Sequence, residues 1–413
     1  MVQSLHSVQR RDIARHGITV LYGSLPAISR QAEKYYLFQG GYIMKKTYVG
    51  WQELGYKRNQ VEYVDKTRLL DDGGNLLVKG GWARRNVFEY DRNLAVPHWR
   101  GKEWDFYQFG NGKYMVQISI ANISIGGYAS ATLVDVSGKE KKTVSSMDLW
   151  LGGKNKPSHI LPENGDRPNT VHYVNKNFEF FADTKETTRT VRFRGPSKDG
   201  FVETVFTMDL FENHENITIV TPFKKNGEYL PTRFFMTMKQ NCMPACGYFK
   251  VGDEKIEFSK DDTFCVLDWG RGVWPYKSVW YWGNGTTYLK DEDGKKHIFG
   301  FEITWGIGNE DNATETCLFY DGKAHKIGSV DVEVFPKPDK YMDKWHFVSE
   351  DGRFDMTMTP VYDHHSDTNV LDIARMHSHQ VHGLWNGTVT LDDGKVLEIK
   401  DMYAFCEYVE NKW

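Results

Sequence analysis

Residues Gly387-Thr-Val-Thr-Leu-Asp-Asp-Gly-Lys-Val-Leu-Glu-Ile399 carry the reading of the fold. Two short runs of β-branched and aliphatic residues flank Asp393-Gly394, a dipeptide suited to the positive backbone angles of a tight hairpin turn. The same grammar repeats outward along the chain. Met115-Val-Gln-Ile-Ser-Ile120 puts Val116, Ile118 and Ile120 on one face at period two, and Asn216-Ile-Thr-Ile-Val-Thr-Pro222 and Phe354-Asp-Met-Thr-Met-Thr-Pro360 read likewise. Asp72-Gly73, Asn226-Gly227, Asp293-Gly294, Asp321-Gly322 and Asp351-Gly352 supply further turns. This spacing predicts an all-β meander, closed as a barrel or stacked as a sandwich, rather than a βαβ fold. The 13 Trp, 22 Tyr, 24 Phe and 38 Gly among 413 residues agree, because aromatic side chains suit pleated, half-buried strands.

The first 60 residues differ. Ser24-Leu-Pro26 offers a cap with a proline just inside, and helix-compatible residues follow as far as Gly40-Gly41, so residues 1–60 are expected to form a helical extension. A first β unit is expected over 61–240 and a second over 241–413.

Charge and motifs remove several function classes. With 52 Lys+Arg against 55 Asp+Glu the net charge is -3, which lacks the basic surplus a general nucleic-acid binder needs. No apolar run reaches membrane-span length and none follows Met1 as a signal peptide would, so the expected address is the cytoplasm. Five cysteines are an odd and sparse set, expected as thiols. No dinucleotide fingerprint, phosphate-binding loop or nucleophile elbow appears, and no cofactor is expected. Oligomeric state is not legible.

The densest chemistry lies at Phe264-Cys-Val-Leu-Asp-Trp-Gly-Arg-Gly-Val-Trp-Pro-Tyr-Lys-Ser-Val-Trp-Tyr-Trp-Gly-Asn-Gly285, where Trp269, Trp274, Trp280 and Trp282 crowd beside Asp268 and Arg271. On an extended backbone Asp268 shares a face with Gly270 and Gly272, leaving Trp269 and Arg271 opposite. A bend at the glycines would instead let Asp268 and Arg271 pair. A carboxyl walled by indoles keeps its proton through desolvation and can serve as a general acid, while indole faces stabilise cations. The bland counterpart is an ion pair closing a barrel end, with the tryptophans as core. A faint echo links Trp104-Asp-Phe-Tyr-Gln-Phe-Gly-Asn-Gly112 to Trp280-Tyr-Trp-Gly-Asn-Gly285, either a duplicated β unit or a coincidence of two aromatic hairpins.

The tract Asp268-Trp-Gly-Arg-Gly-Val-Trp-Pro-Tyr276, with Trp280-Tyr-Trp282, resembles the central signature of the bacterial domain-of-unknown-function 2804 family. Other blocks fit in order: Leu70-Asp-Asp-Gly-Gly-Asn75, Gly81-Trp-Ala-Arg-Arg85, Lys102-Glu-Trp-Asp-Phe-Tyr107, Lys239-Gln-Asn-Cys-Met-Pro-Ala-Cys-Gly247, His379-Gln-Val-His-Gly-Leu-Trp-Asn-Gly387 and Ala404-Phe-Cys-Glu-Tyr-Val-Glu-Asn-Lys-Trp413. Thr316, after Glu315, departs from the pattern. The resemblance implies a lipocalin-like (calycin) architecture of two β-barrel or curved-sheet units. It also implies kinship with carotenoid hydratases, whose group binds apolar molecules and in part protonates alkenes. The family itself transfers no activity.

Asp363-His-His-Ser-Asp367 and His377-Ser-His379 form a histidine-rich segment. His377 and His379 share a strand face, and His364 or His365 could join them as metal ligands, although a solvated loop is the simpler reading and no metal is favoured. The expected function is acid–base chemistry on a hydrophobic or aromatic small molecule, of hydratase, lyase, isomerase or cyclase type. Asp268, His379 and Arg271 are its catalytic candidates. Trp269, Trp274, Tyr276, Trp280, Trp282, Trp82, Arg84 and Lys239 are its ligand-binding candidates. A non-catalytic carrier and a carbohydrate-binding or carbohydrate-processing protein are the alternatives.

Overall fold

A computed structural model describes residues 35–37, 43–45, 54, 57–124, 126–137, 142–151, 161–334, 340–370 and 374–412. The chain divides into two compact units, Met1–Val49 and Gly50–Trp413. In the first, Tyr35–Leu37 pairs antiparallel with Ile43–Lys45. Within the expected helical extension residues 35–37 and 43–45 are strand, in keeping at 35–37 with the aromatic, extended-prone Tyr-Tyr-Leu sequence, while Leu54 is helical and 57–60 are irregular. Its other residues, including 24–34 at the expected helix start, lie outside the described residues.

The second unit is nearly all β, as the turn spacing requires, and forms two large curled sheets that match the two expected lipocalin-like units. The first runs Asn169–Val174, Glu179–Thr184, Thr188–Ser197, Gly200–Asp209, Glu228–Val251, Phe264–Val273, Gly101–Gly110, Tyr114–Asn122, Gly126–Asp135 and Lys142–Leu151 in spatial order, with Ile217–Lys225 and Glu254–Phe258 attached beside the long strand and Gly81–Ala83 beside Ile217–Lys225. Its far edges meet, since Ser146 Oγ donates to Pro196 O at 2.8 Å and Tyr173 OH to Asp148 at 2.7 Å. The second runs Lys323–Lys326, Cys317–Tyr320, Lys296–Trp305, Lys277–Lys290, Val396–Lys412, Ala374–Thr390, Phe354–Val370, Trp345–Ser349 and Val330–Val334. The opening hairpin is there, with Thr390 opposite Val396 and Gly387 opposite Ile399.

The chain changes sheet at 274–276, whereas the sequence-based boundary at 240/241 lies within the strand Glu228–Val251. Asn241-Cys-Met-Pro244, beside that boundary, inserts only a bulge. The register against Phe264–Val273 slips between Gln240 and Met243, with Cys242 at φ 63°.

Period two assigns each face. Val116, Ile118 and Ile120 are fully buried inside the first curl with Tyr107, Phe109, Leu267 and Trp269. The second curl closes on packed rings, Trp385 stacked on Phe347 at 4.6 Å and tilted against Phe301 at 4.9 Å. The alternate residues of both sheets point outward from their own curls. Several of these meet one another, as Phe106 of the first sheet meets Trp282 of the second at 5.9 Å. That shared layer holds the site.

Candidate active site between the two sheets

Phe264–Val273 stays extended through its glycines, so the expected opposition of faces holds and the alternative Asp268–Arg271 pairing does not. Arg271 turns into the first curl with no exposed surface. It donates to Asp105 at 2.9 Å, to Trp104 O and Gly270 O at 2.7 Å each, and to Pro162 O at 2.8 Å. Its guanidinium lies 4.2 Å from the Trp269 ring, which is equally buried. A guanidinium so fully engaged clamps strands to the 161–167 loop and is closed to any ligand. This corrects the expected roles of Arg271 and Trp269.

Asp268 faces the other way, and register explains its company. It stands opposite Lys239 on one neighbouring strand and Phe106 on the other, so all three project into the layer between the sheets. Lys239 Nζ lies 2.8 Å from Asp268 Oδ1, 3.9 Å from Glu315 Oε1 and 4.2 Å from the Trp282 ring centroid. Burial lowers the ammonium's pKa, but the charges of Asp268, Glu315 and Glu302 outweigh it and leave Lys239 above its usual value. Thr237 donates to Glu315 from the same strand as Lys239.

The second sheet supplies two buried carboxyl groups. Glu302 accepts from Trp282 Nε1 at 2.8 Å and Asn241 Nδ2 at 3.1 Å, and burial raises it well above the ordinary range. Glu407, opposite Trp282 in the ladder, accepts from Trp280 Nε1 and Gln380 Nε2, each at 2.9 Å. Burial raises Glu407 too, with Asp268 adding to the rise. Tyr128 of the first sheet is likewise raised by burial and by the charges of Asp268 and Glu407. Asp268, Glu407 and Tyr128 thus act on one another across the two sheets.

Aromatic rings wall this layer. Trp274 lies 5.7 Å from Trp104 and 6.0 Å from Trp280, so the two echoing motifs flank one indole. Gly270 permits it, since a Cβ there would sit 2.0 Å from the Trp104 ring. Lys102 lies 5.4 Å from the Trp274 centroid, and burial lowers its pKa to about 6. Exposed Tyr276 lies under Arg100 and Lys412. Two residues along the strand from Asp268, Val266 lines a cleft of about 330 Å³ shared with Gln108, Met115, Asn284 and Tyr403. There Gln108 Nε2 donates to Asn284 Oδ1 at 2.8 Å, joining the sheets.

The remaining candidates lie apart. Trp82 and Arg84 sit beyond Ile217–Lys225, where Trp82 Nε1 donates to Gln60 O and Arg84 pairs with Glu62 at 3.2 Å and Glu215 at 3.5 Å. His379 is on the same strand as Gln380 but on the opposite face, stacked on Tyr341 at 3.8 Å and paired with Asp363 at 2.7 Å. His364 points with Gln380, at 3.3 Å, and away from His365, His377 and His379. Glu302, Glu315, Glu407 and Tyr128 escaped the sequence reading. Glu302 left one trace: in Ile298-Phe-Gly-Phe-Glu-Ile-Thr-Trp305 it is a lone acid within an alternating apolar strand.

The chain belongs to the family described as Domain of unknown function (DUF2804), whose profile matches residues 60–413. Two solved structures are similar to it. A candidate AttH from Nitrosomonas europaea has 11% identity and a TM-score of 0.43, covering 78% of this chain and 96% of its own. Kievitone hydratase from Nectria haematococca has 10% identity and a TM-score of 0.43, covering 87% and 98%. No curated protein matches the sequence. Among the described residues, no helix is long and apolar enough to cross a membrane.

Proposed function

We propose that the layer between the sheets binds a hydrophobic or aromatic small molecule and carries out acid–base addition or elimination on it, as a hydratase or lyase does. One observation carries the reading. Asp268, ion-paired with Lys239, and Glu407, a carboxyl that burial and the Asp268 charge raise, project into one layer that also holds Phe106, Trp280 and Trp282. Two carboxyl groups placed in opposite environments divide the acid and base roles between them.

In the hydration direction the Glu407 carboxyl gives its proton to an alkene carbon of the ligand. The resulting cation is stabilised by the indole faces. Water adds its oxygen to that cation and loses a proton to the Asp268 carboxylate, while Lys239 keeps the site's charge balanced. Transfer from Asp268 to Glu407 through water or the Tyr128 hydroxyl resets the pair, and elimination runs the same steps in reverse. The expected acid role of Asp268 thus passes to Glu407, the carboxyl that burial raises.

Native mass spectrometry of the purified chain identifies the co-purifying ligand. Incubation of that compound with the wild type, Glu407→Gln and Asp268→Asn then tests the chemistry. Water gain or loss with the wild type, falling at least 100-fold in either variant, is the expected result. Release of the compound unchanged by the wild type would overturn the reading in favour of a carrier.

A further inference from the structure

On the other face of the second sheet, away from Glu407, the hairpin of Phe354–Val370 and Ala374–Thr390 gathers three imidazoles. His365 stands directly opposite His379 in the ladder, and His377 lies two residues from His379, so all three project from one face. Their nearest ring nitrogens all lie within 4.8 Å of one another. His365 Nε2 is 3.5 Å from His377 Nδ1, and the His365 and His379 rings lie parallel at 4.2 Å.

We propose that His365, His377 and His379 form a binding site for a single zinc-type divalent transition metal ion, oriented by Asp363. Three imidazoles are the ligand set that suits zinc, copper or nickel over magnesium or calcium. The supporting groups are also in place. Asp363 Oδ2 accepts from His379 Nδ1 at 2.7 Å, which fixes the proton there and turns the Nε2 lone pair outward. Asp363 Oδ1 is buried with no hydrogen-bond partner. Tyr341, stacked on His379 at 3.8 Å, holds the ring plane. Asp367 lies 3.4 Å from His377 Nδ1 and accepts from Arg375 at 2.7 Å. Closing on one ion requires His365, the exposed member, to turn out of its stack, an inexpensive rotation for a broad sp² torsion. Three protein ligands leave a coordination position open to water or to an anionic ligand. The site is independent of the inter-sheet chemistry, because it faces away from it.

The test uses the full chain stripped with chelator, titrated with zinc in a chelator-buffered competition, and read by elemental analysis after dialysis. One zinc per chain is the expected stoichiometry. His377→Ala and His379→Ala should each weaken binding at least 100-fold, and Asp363→Asn about 10- to 100-fold. Cobalt(II) in place of zinc should give the intense visible absorption of a four-coordinate nitrogen site. His365→Ala, at an exposed position, serves as a further ligand variant that leaves folding intact, checked by circular dichroism. Less than one retained zinc per chain, or binding unchanged in Asp363→Asn and His365→Ala, would overturn the site and leave only an adventitious surface cluster.

Discussion

Replacing Lys239 with Met tests whether the inter-sheet layer is organised around a buried ion pair. The Lys239 side chain is 5% exposed and that of Asp268 11%, so neither partner can relax into solvent when the other is removed. At an effective dielectric of about 20, an ammonium 2.8 Å from a carboxylate gains about 6 kcal/mol of gross attraction, most of which desolvation consumes. What the variant reveals is the cost of stranding the partner. Methionine fills the volume but leaves Asp268 buried without its counter-charge, beside Glu315, which had stood 3.9 Å from the ammonium. The expected loss is about 3–5 kcal/mol of unfolding free energy. Urea unfolding followed by tryptophan fluorescence measures it, with the slope checked for constancy. The double variant Lys239→Met, Asp268→Leu should recover at least about 2 kcal/mol of that loss, because an apolar pair of similar volume removes the stranded charge. A loss below about 1 kcal/mol, or additive effects in the double variant, would refute the closed pair and with it the charge balance assigned to the site.

Other expectations follow from the same geometry. Glu302 and Glu407 have folded-state pKa values raised by burial, so their contribution to stability is greatest at low pH and is lost as pH rises from the ordinary carboxylate value through the folded one. Glu407→Gln should therefore flatten the expected fall in stability as pH rises above the ordinary carboxylate range, which denaturation at a series of pH values reads directly. Arg271→Met should cost about 3–5 kcal/mol by stranding Asp105, while leaving ligand affinity of the folded fraction unchanged, since Arg271 faces away from the site. Gly270→Ala drives a methyl into the Trp104 ring and should cost about 1–3 kcal/mol, with a shifted tryptophan emission maximum.

Much of the fold was readable because period two and turn chemistry are local properties. Val116, Ile118 and Ile120 point inward as their alternation requires, and Asp393-Gly394 closes its hairpin. The misplaced boundary at 240/241 shows where local reading fails. Asn241-Cys-Met-Pro244 carries breaker residues, yet Phe264–Val273 stays paired with the long strand on both sides of it, and the ladder absorbs the irregularity as a bulge. At 35–37 the expected helix gives way to a strand, because an aromatic Tyr-Tyr-Leu run suits a pleated backbone.

For the site, sequence determined the two faces of a single strand: Asp268 with Gly270 on one, Trp269 with Arg271 on the other. It set all four clustered tryptophans beside Asp268, and the structure turns Trp269 to the opposite face with Arg271. Tertiary structure alone decided what each face meets. Lys239 stands opposite Asp268 through a ladder between strands that Glu254–Phe258 separates along the chain, and Glu407 reaches the same layer from the last strand. Side-chain direction repeats every two residues and is written in the sequence. Strand partners and sheet contacts depend on register and curl, and these are fixed by the packing of the whole β unit.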